Sequence, residues 1–125
     1  MTARPELDLA PDAATVTAVI RSYRFTYSAE TQLQEGVAAA FATAGVPAER
    51  EARLSPIDRI DFLIGRVGVE VKIAGSVGAV LGQLQRYALH DLSALVLVTT
   101  RARHLALPTT VGGLPLHIVH LGGAV

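Results

Sequence analysis

A chain of 125 residues, half of them hydrophobic, carries enough apolar mass for one packed core but not for two. Eleven basic side chains balance eleven acidic ones, which excludes a broad positive field, so any phosphate-binding surface has to be local. Cysteine is absent, and disulfides, thiolate zinc sites and thiol nucleophiles are excluded with it.

Residues 1–11 are polar, contain two prolines and are expected to form a flexible arm ahead of a single domain over 12–125. The first residues lack the apolar stretch of a signal peptide, and no apolar run reaches the roughly 18 residues of a membrane span. A soluble cytoplasmic protein with no membrane partner is the expectation. Asp12 is suited to cap a helix over 13–23 whose stripe is Val16, Val19, Ile20 and Tyr23. Ser28 is expected to cap a second helix through Glu30, Leu33, Val37, Ala40, Phe41 and Ala44, stopped by Gly45 with Pro47 beyond it. A short strand over 50–54 precedes the break at Ser55-Pro56.

Residues 60–64 and 67–73 alternate with period two around Gly65-Arg66, the pattern of a type II′ hairpin. Gly75 and Ser76 lead into a helix carrying Val77, Val80, Leu81, Leu84 and Ala88. Residues 94–99 form a continuous apolar run, read as a buried parallel strand. A less regular segment, 101–113, reaches a last strand over 116–121. The order predicts an α/β sandwich with a mixed sheet.

Strand parity locates the chemistry. In residues 67–73, Val67, Val69, Val71 and Ile73 share one face, while Gly68, Glu70 and Lys72 share the other. In residues 60–64, Ile60, Phe62 and Ile64 are expected on one apolar face with Asp61 opposite. Counting back from the turn pairs Ile64 with Val67 and sets Asp61 across from Glu70. Directly opposed side chains hold their Cβ atoms about 5 Å apart, where two like charges destabilise a sheet. A divalent cation turns that repulsion into binding, and magnesium or manganese suits an all-oxygen donor set. The plainer alternative is a solvated strand face on which Lys72 screens two acids.

Lys72 is the only lysine among the eleven basic residues, and a lysine near a metal or in a dry pocket, unlike arginine, can shift its pKa and exchange a proton with water. Glu30 stands on the stripe of Leu33, Val37 and Phe41 and points inward, whereas Glu35 projects away. The alternative for Glu30 is a first-turn acid favoured by the helix dipole.

Asp61-x8-Glu70-Val71-Lys72, preceded by Ile57-Asp58-Arg59-Ile60, resembles the PD-(D/E)XK nuclease superfamily. Gln83-Leu84-Gln85-Arg86-Tyr87 is similar to the Gln-x-x-x-Tyr motif of its RecB-like, Holliday-junction-resolvase-like branch. Ile60 stands where the family has a proline, although Pro56 lies upstream. The resemblance implies a restriction-endonuclease-like αβββαβ core over residues 28–99, a mixed central sheet flanked by helices. It implies a metal-dependent nuclease in which Asp61, Glu70 and the Val71 carbonyl bind Mg (or Mn), with Glu30 joining directly or through water. Lys72 would orient or deprotonate the attacking water, while Gln83 and Tyr87 would lie beside the metal and hold substrate. The partner would be nucleic acid, DNA in preference to RNA, cut to 5′-phosphate and 3′-hydroxyl ends.

Other readings stay open. A binding or scaffold module of the same fold would keep the architecture without turnover, and Tyr87 would then be a core aromatic. A nucleotide-binding loop at Gly75-Ser76-Val77-Gly78 lacks both Gly-Lys-Ser/Thr and Gly-x-Gly-x-x-Gly. His117 and His120, three apart on a strand, face opposite sides and make a poor metal pair. Arg101, Arg103 and His104 could touch a phosphate backbone or form an ordinary charged loop. The last strand, with Gly122-Gly123, is a candidate contact for a homodimer.

Overall fold

The computed structural model describes residues 11–122, so the expected arm lies, apart from Pro11, outside the described residues, as does Gly123. Helix α1 (Ala13–Arg21) begins where Asp12 Oδ1 accepts the Thr15 N–H at 2.9 Å. It stops two residues short of the expected end, where the Ser22 hydroxyl turns back to the Val19 carbonyl at 2.7 Å.

Helix α2 (Glu30–Thr43) corrects the expected cap. Ala29 takes the N-cap position without a side-chain bond, while the Ser28 amide and hydroxyl both donate to Gln32 Oε1. The Ser28 hydroxyl is thus a donor to a glutamine one turn on and accepts from no helix amide. At the other end Gly45 takes φ +73°, and the Val46 and Gly45 amides donate to Phe41 and Ala42 carbonyls at 2.9 and 3.1 Å. That pair of bonds is a Schellman motif, which requires a left-handed residue and hence favours glycine.

Strands β1 (Glu49–Arg53), β2 (Arg59–Ile64) and β3 (Val67–Lys72) form an antiparallel meander. Gly65 has φ +59° and Arg66 does not share the positive φ, as a type II′ turn requires, and Ile64 pairs with Val67. Helix α3 (Val77–Tyr87), capped by the Ser76 hydroxyl on the Ala79 amide, crosses over to β4 (Ala94–Thr99). The residues after β4, read as less regular, contain a 3₁₀ turn (Ala102–Ala106) and a two-residue strand β5 (Thr110–Val111) before β6 (Leu114–His120).

The sheet runs β1-β2-β3-β4-β6-β5, with β3, β4 and β6 parallel. All six residues of β4 are buried. Val96 and Val98 pack with Val16, Ile20, Leu33, Val37 and Phe41 of α1 and α2, while Leu95 and Leu97 pack with Val80, Leu84 and Tyr87 of α3. Burial on both faces is why the strand is a continuous apolar run, and truncating Leu97 to alanine should cost about 2–5 kcal/mol. No described helix is long and apolar enough to cross a membrane.

One expectation about β2 is overturned. Phe62 and Ile64 pack on the α2 side, with Phe62 edge-on to Phe41, but Ile60 packs on the α3 side. A Cβ on Gly68 would come within 2.6 Å of Ile60 Cδ1, so the glycine makes room for it. Regular alternation therefore breaks at Asp61. The residue beside it in the ladder, Glu51, has φ +52°, and pairing is regular at Arg50 with Phe62 and at Ala52 with Ile60 on either side of the break.

Candidate active site

The break at Asp61 redirects a carboxylate. Instead of continuing the ladder to β3, the Asp61 amide donates to Glu70 Oε1 at 3.3 Å, and Asp61 Oδ2 accepts the Val71 amide at 2.8 Å. The two acids are thus cross-linked through each other's strands at the point where β2 and β3 part. Gln34 Nε2, from α2, donates to Asp61 Oδ1 at 3.3 Å. Lys72 Nζ lies 3.4 Å from Glu70 Oε2, which places the lysine and the glutamate on one face as parity predicts.

Glu70 is only 4% exposed. Burial and the neighbouring Asp61 push its carboxyl up from 4.5 to about 7, against the opposing pull of Lys72. Asp61 is raised as well, chiefly by burial and then by Glu30, while the Val71 amide and Lys72 hold it down. One ammonium therefore faces a pair of poorly compensated carboxylates. Such a pair, perturbed by burial and like charge, is the kind of arrangement that functional sites contain.

Helix α3 supplies the far wall. The Tyr87 ring is fully buried, and its hydroxyl lies 3.0 Å from the Arg59 carbonyl and 3.3 Å from Glu70 Oε1, while Gln83 Nε2 donates to it at 2.7 Å. A phenol has one proton, so it serves the carbonyl or the carboxylate at any moment. Burial, then the Glu70 charge, raises the Tyr87 pKa and keeps the hydroxyl protonated. Gln83 and Tyr87 meet on one helix face as their spacing predicts, and the tyrosine reaches the carboxylate from inside the core.

Glu30 is brought to the same strand end by a different contact, its Oε1 accepting the Ile73 amide at 3.4 Å. It does not complete a three-carboxylate cluster, since no group of three His, Cys, Asp or Glu side chains is gathered for a metal among the described residues. The donor set that remains, Asp61, Glu70 and the Val71 carbonyl, is all oxygen and carries excess negative charge in a buried setting. That chemistry fits a small hard cation.

Sequence reasoning missed Gln34, although it lies four residues after Glu30 and so on the same helix face. It missed the Arg59 carbonyl, which no side-chain pattern reveals. It also misjudged His104, which is not a surface residue: the ring is fully buried, Nδ1 lying 2.6 Å from the Thr99 hydroxyl and Nε2 2.8 Å from the Gly75 carbonyl. His117 and His120 pair with Val96 and Thr99 along β6 and do not join the site.

No protein-family model matches the sequence, and no curated protein or solved structure matches the chain.

Proposed function

We propose that this chain is a metal-dependent nuclease domain with a restriction-endonuclease-like αβββαβ core, acting in the cytoplasm on DNA in preference to RNA. The observation that carries the reading is the Asp61–Glu70–Lys72 set, a half-buried and a buried acid joined across a strand divergence with a single ammonium 3.4 Å from the buried one. A purely structural network would be better compensated, because ionised carboxylates are costly to bury without matching charge.

Asp61, Glu70 and the Val71 carbonyl would hold Mg or Mn, and Glu30, whose carboxylate accepts the Ile73 amide just past Lys72, would join through water. The chemistry such a cation supplies when bound is Lewis acidity toward a phosphodiester oxygen. Lys72 supplies hydrogen-bond donors and a positive charge beside the acids, suited to orienting a water and to steadying charge on the phosphorane. Tyr87 holds Glu70 by a hydrogen bond from the core side, and Gln83 steadies the tyrosine hydroxyl in turn.

A second reading has its own support. Three of the four carboxylate oxygens of Asp61 and Glu70 already accept protein hydrogen bonds, from Gln34, Val71, Tyr87 and the Asp61 amide, and the fourth lies against Lys72. A nucleic-acid-binding or scaffold module that has lost turnover would look like this too. Incubation of circular and linear DNA, and of RNA, with magnesium, manganese or EDTA separates the two. Metal-dependent cleavage abolished by Lys72→Ala establishes the nuclease, whereas binding without cleavage across both panels leaves the module.

A further inference from the structure

An electrically neutral chain needs a local means to grip a polyanion, and the eight described arginines whose side chains bond within the chain divide into two groups. Arg50, Arg59, Arg66 and Arg86 each pair with a carboxylate, Glu35, Glu51, Asp91 and Asp58, at 2.7–3.2 Å. Arg21 and Arg53 spend a terminal nitrogen on the carbonyls of Ile118 and Pro56. Arg101 and Arg103 differ from all six. Each is tethered through Nε alone, Arg101 to the Ile73 carbonyl at 2.7 Å and Arg103 to the Gly75 carbonyl at 3.0 Å. Among the described residues neither has a carboxylate partner, and both are exposed, so both terminal nitrogens of each fork face solvent.

The place of these tethers matters as much as their form. Ile73 and Gly75 are the first and third residues after Lys72, so both guanidinium groups hang from the segment that leaves the acid–acid–lysine set. Lys72, Thr99 and His120 are in register across β3, β4 and β6, and Arg101 follows Thr99 by two residues. The forks therefore stand at the carboxyl ends of the parallel strands, where open α/β sheets bind their ligands. The segment beneath them is braced: the Gly75 carbonyl accepts from Arg103 Nε and from buried His104 Nε2, and His104 is held in turn by Thr99. A carbonyl only accepts, so Nε2 carries the proton and, in the neutral ring, Nδ1 accepts from the Thr99 hydroxyl.

We propose that Arg101 and Arg103 form a preformed clamp for the phosphates of a nucleic-acid strand beside the Asp61–Glu70–Lys72 set. A guanidinium whose Nε is occupied still presents both terminal NH2 groups to a phosphate, and fixing the fork in advance reduces the ordering cost of binding. The clamp recognises backbone, not bases, and it supplies the local positive surface that the balanced overall charge requires. The inference rests on the nuclease reading for its substrate, but binding alone tests it.

The experiment is fluorescence anisotropy of labelled duplex DNA, single-stranded DNA and RNA with the full chain, in calcium and in EDTA, from 50 to 200 mM salt. Phosphate contacts make the logarithm of affinity fall linearly with the logarithm of salt, by about one unit of slope per contact on duplex DNA. Arg101→Ala/Arg103→Ala should weaken binding alike across probe sequences and lower the slope by about two. Arg101→Lys/Arg103→Lys, which lacks the tethers but keeps the charge, should recover most of the slope, and that rescue excludes simple loop collapse. Loss of affinity in the alanine variant without any cleavage by the wild type would uphold the clamp and discard the nuclease. Wild-type slope in the alanine variant would overturn the clamp and leave the nuclease standing. Failure of the wild type to bind any probe would overturn the clamp directly.

Discussion

Asp58, in the turn just before β2, and Glu70, within β3, are both buried acids, 7% and 4% exposed, that meet side chains of α3 or its end, yet the fold treats them oppositely. Asp58 is met by Arg86 Nε and His90 Nε2, each at 3.2 Å, and those hydrogen bonds hold its carboxyl below the usual range. Its own amide donates to the Ser55 hydroxyl, closing the turn at Ser55-Pro56. Glu70 is met by a second carboxylate and one lysine, and is pushed up to about 7. Burial is common to both, so burial does not mark a site. What differs is compensation, and an acid left short of positive charge is one whose environment awaits a cation or a proton.

The comparison breaks most decisively at Lys72. Replacing it with alanine should lower cleavage by about two to four orders of magnitude while fold and metal affinity persist, because a positioned acid–base or charge-stabilising group is worth that much. Lys72→Arg should not restore the rate, since guanidinium keeps its proton and is planar and larger. Single-turnover cleavage with purified variants measures both, and a wild-type rate in Lys72→Arg would reduce the lysine to a bare charge.

Next comes the effect of metal on stability. Magnesium or manganese at 100-fold above its dissociation constant should stabilise the fold by about 2–3 kcal/mol, read from chemical denaturation. Asp61→Asn should remove that gain and, in EDTA, leave stability equal or higher, since it relieves repulsion at Glu70. Asp58→Asn should do the reverse: a clear loss of Tm that metal does not recover, as Arg86 loses its charged partner. Equal destabilisation by both asparagines in EDTA would erase the distinction between the two acids.

The acids should also part company with pH. Glu70 binds its proton more tightly folded than unfolded, so in EDTA its contribution to stability is complete below about pH 4.5 and declines as the pH rises to about 7. The decline should be on the order of 1–3 kcal/mol, and Glu70→Gln should flatten it. Asp58 has the opposite sign, contributing above its unfolded pKa and losing that contribution as pH falls through the lowered folded value. Urea titrations from pH 3 to 8 on the two variants separate the slopes.

The smallest effect expected is at Tyr87. Tyr87→Phe keeps the buried ring and deletes the hydroxyl that orients Glu70, which should slow cleavage about tenfold, a loss equal to one net hydrogen bond. The fold should survive, whereas Tyr87→Ala should open the α3 face of the core. Unchanged cleavage in Tyr87→Phe would make the tyrosine a packing residue only.

Local rules in the sequence determined most of the architecture: the Asp12 cap, the Gly45 stop, the hairpin at Gly65-Arg66 and the apolar run of β4 each depend on neighbours a few residues away. The same rules brought Asp61 near Glu70, although the ladder ends at Phe62 with Val69 and no direct pair forms, and put Lys72 on the Glu70 face, because hairpin register follows from the turn. Parity failed at Ile60, since the turn of β1 at Glu51 and the room above Gly68 let its side chain cross to the other layer, and neither is a period-two signal. Tertiary structure alone decided which acids are compensated: Arg86, His90, Gln34 and Tyr87 reach Asp58, Asp61 and Glu70 from 16 or more positions away in the chain. It also decided that His104 is a buried strut while Arg101 and Arg103, three and one residues from it, stay open. Charge compensation and exposure depend on which helices pack over which strand ends, and those contacts form only when the whole sheet does.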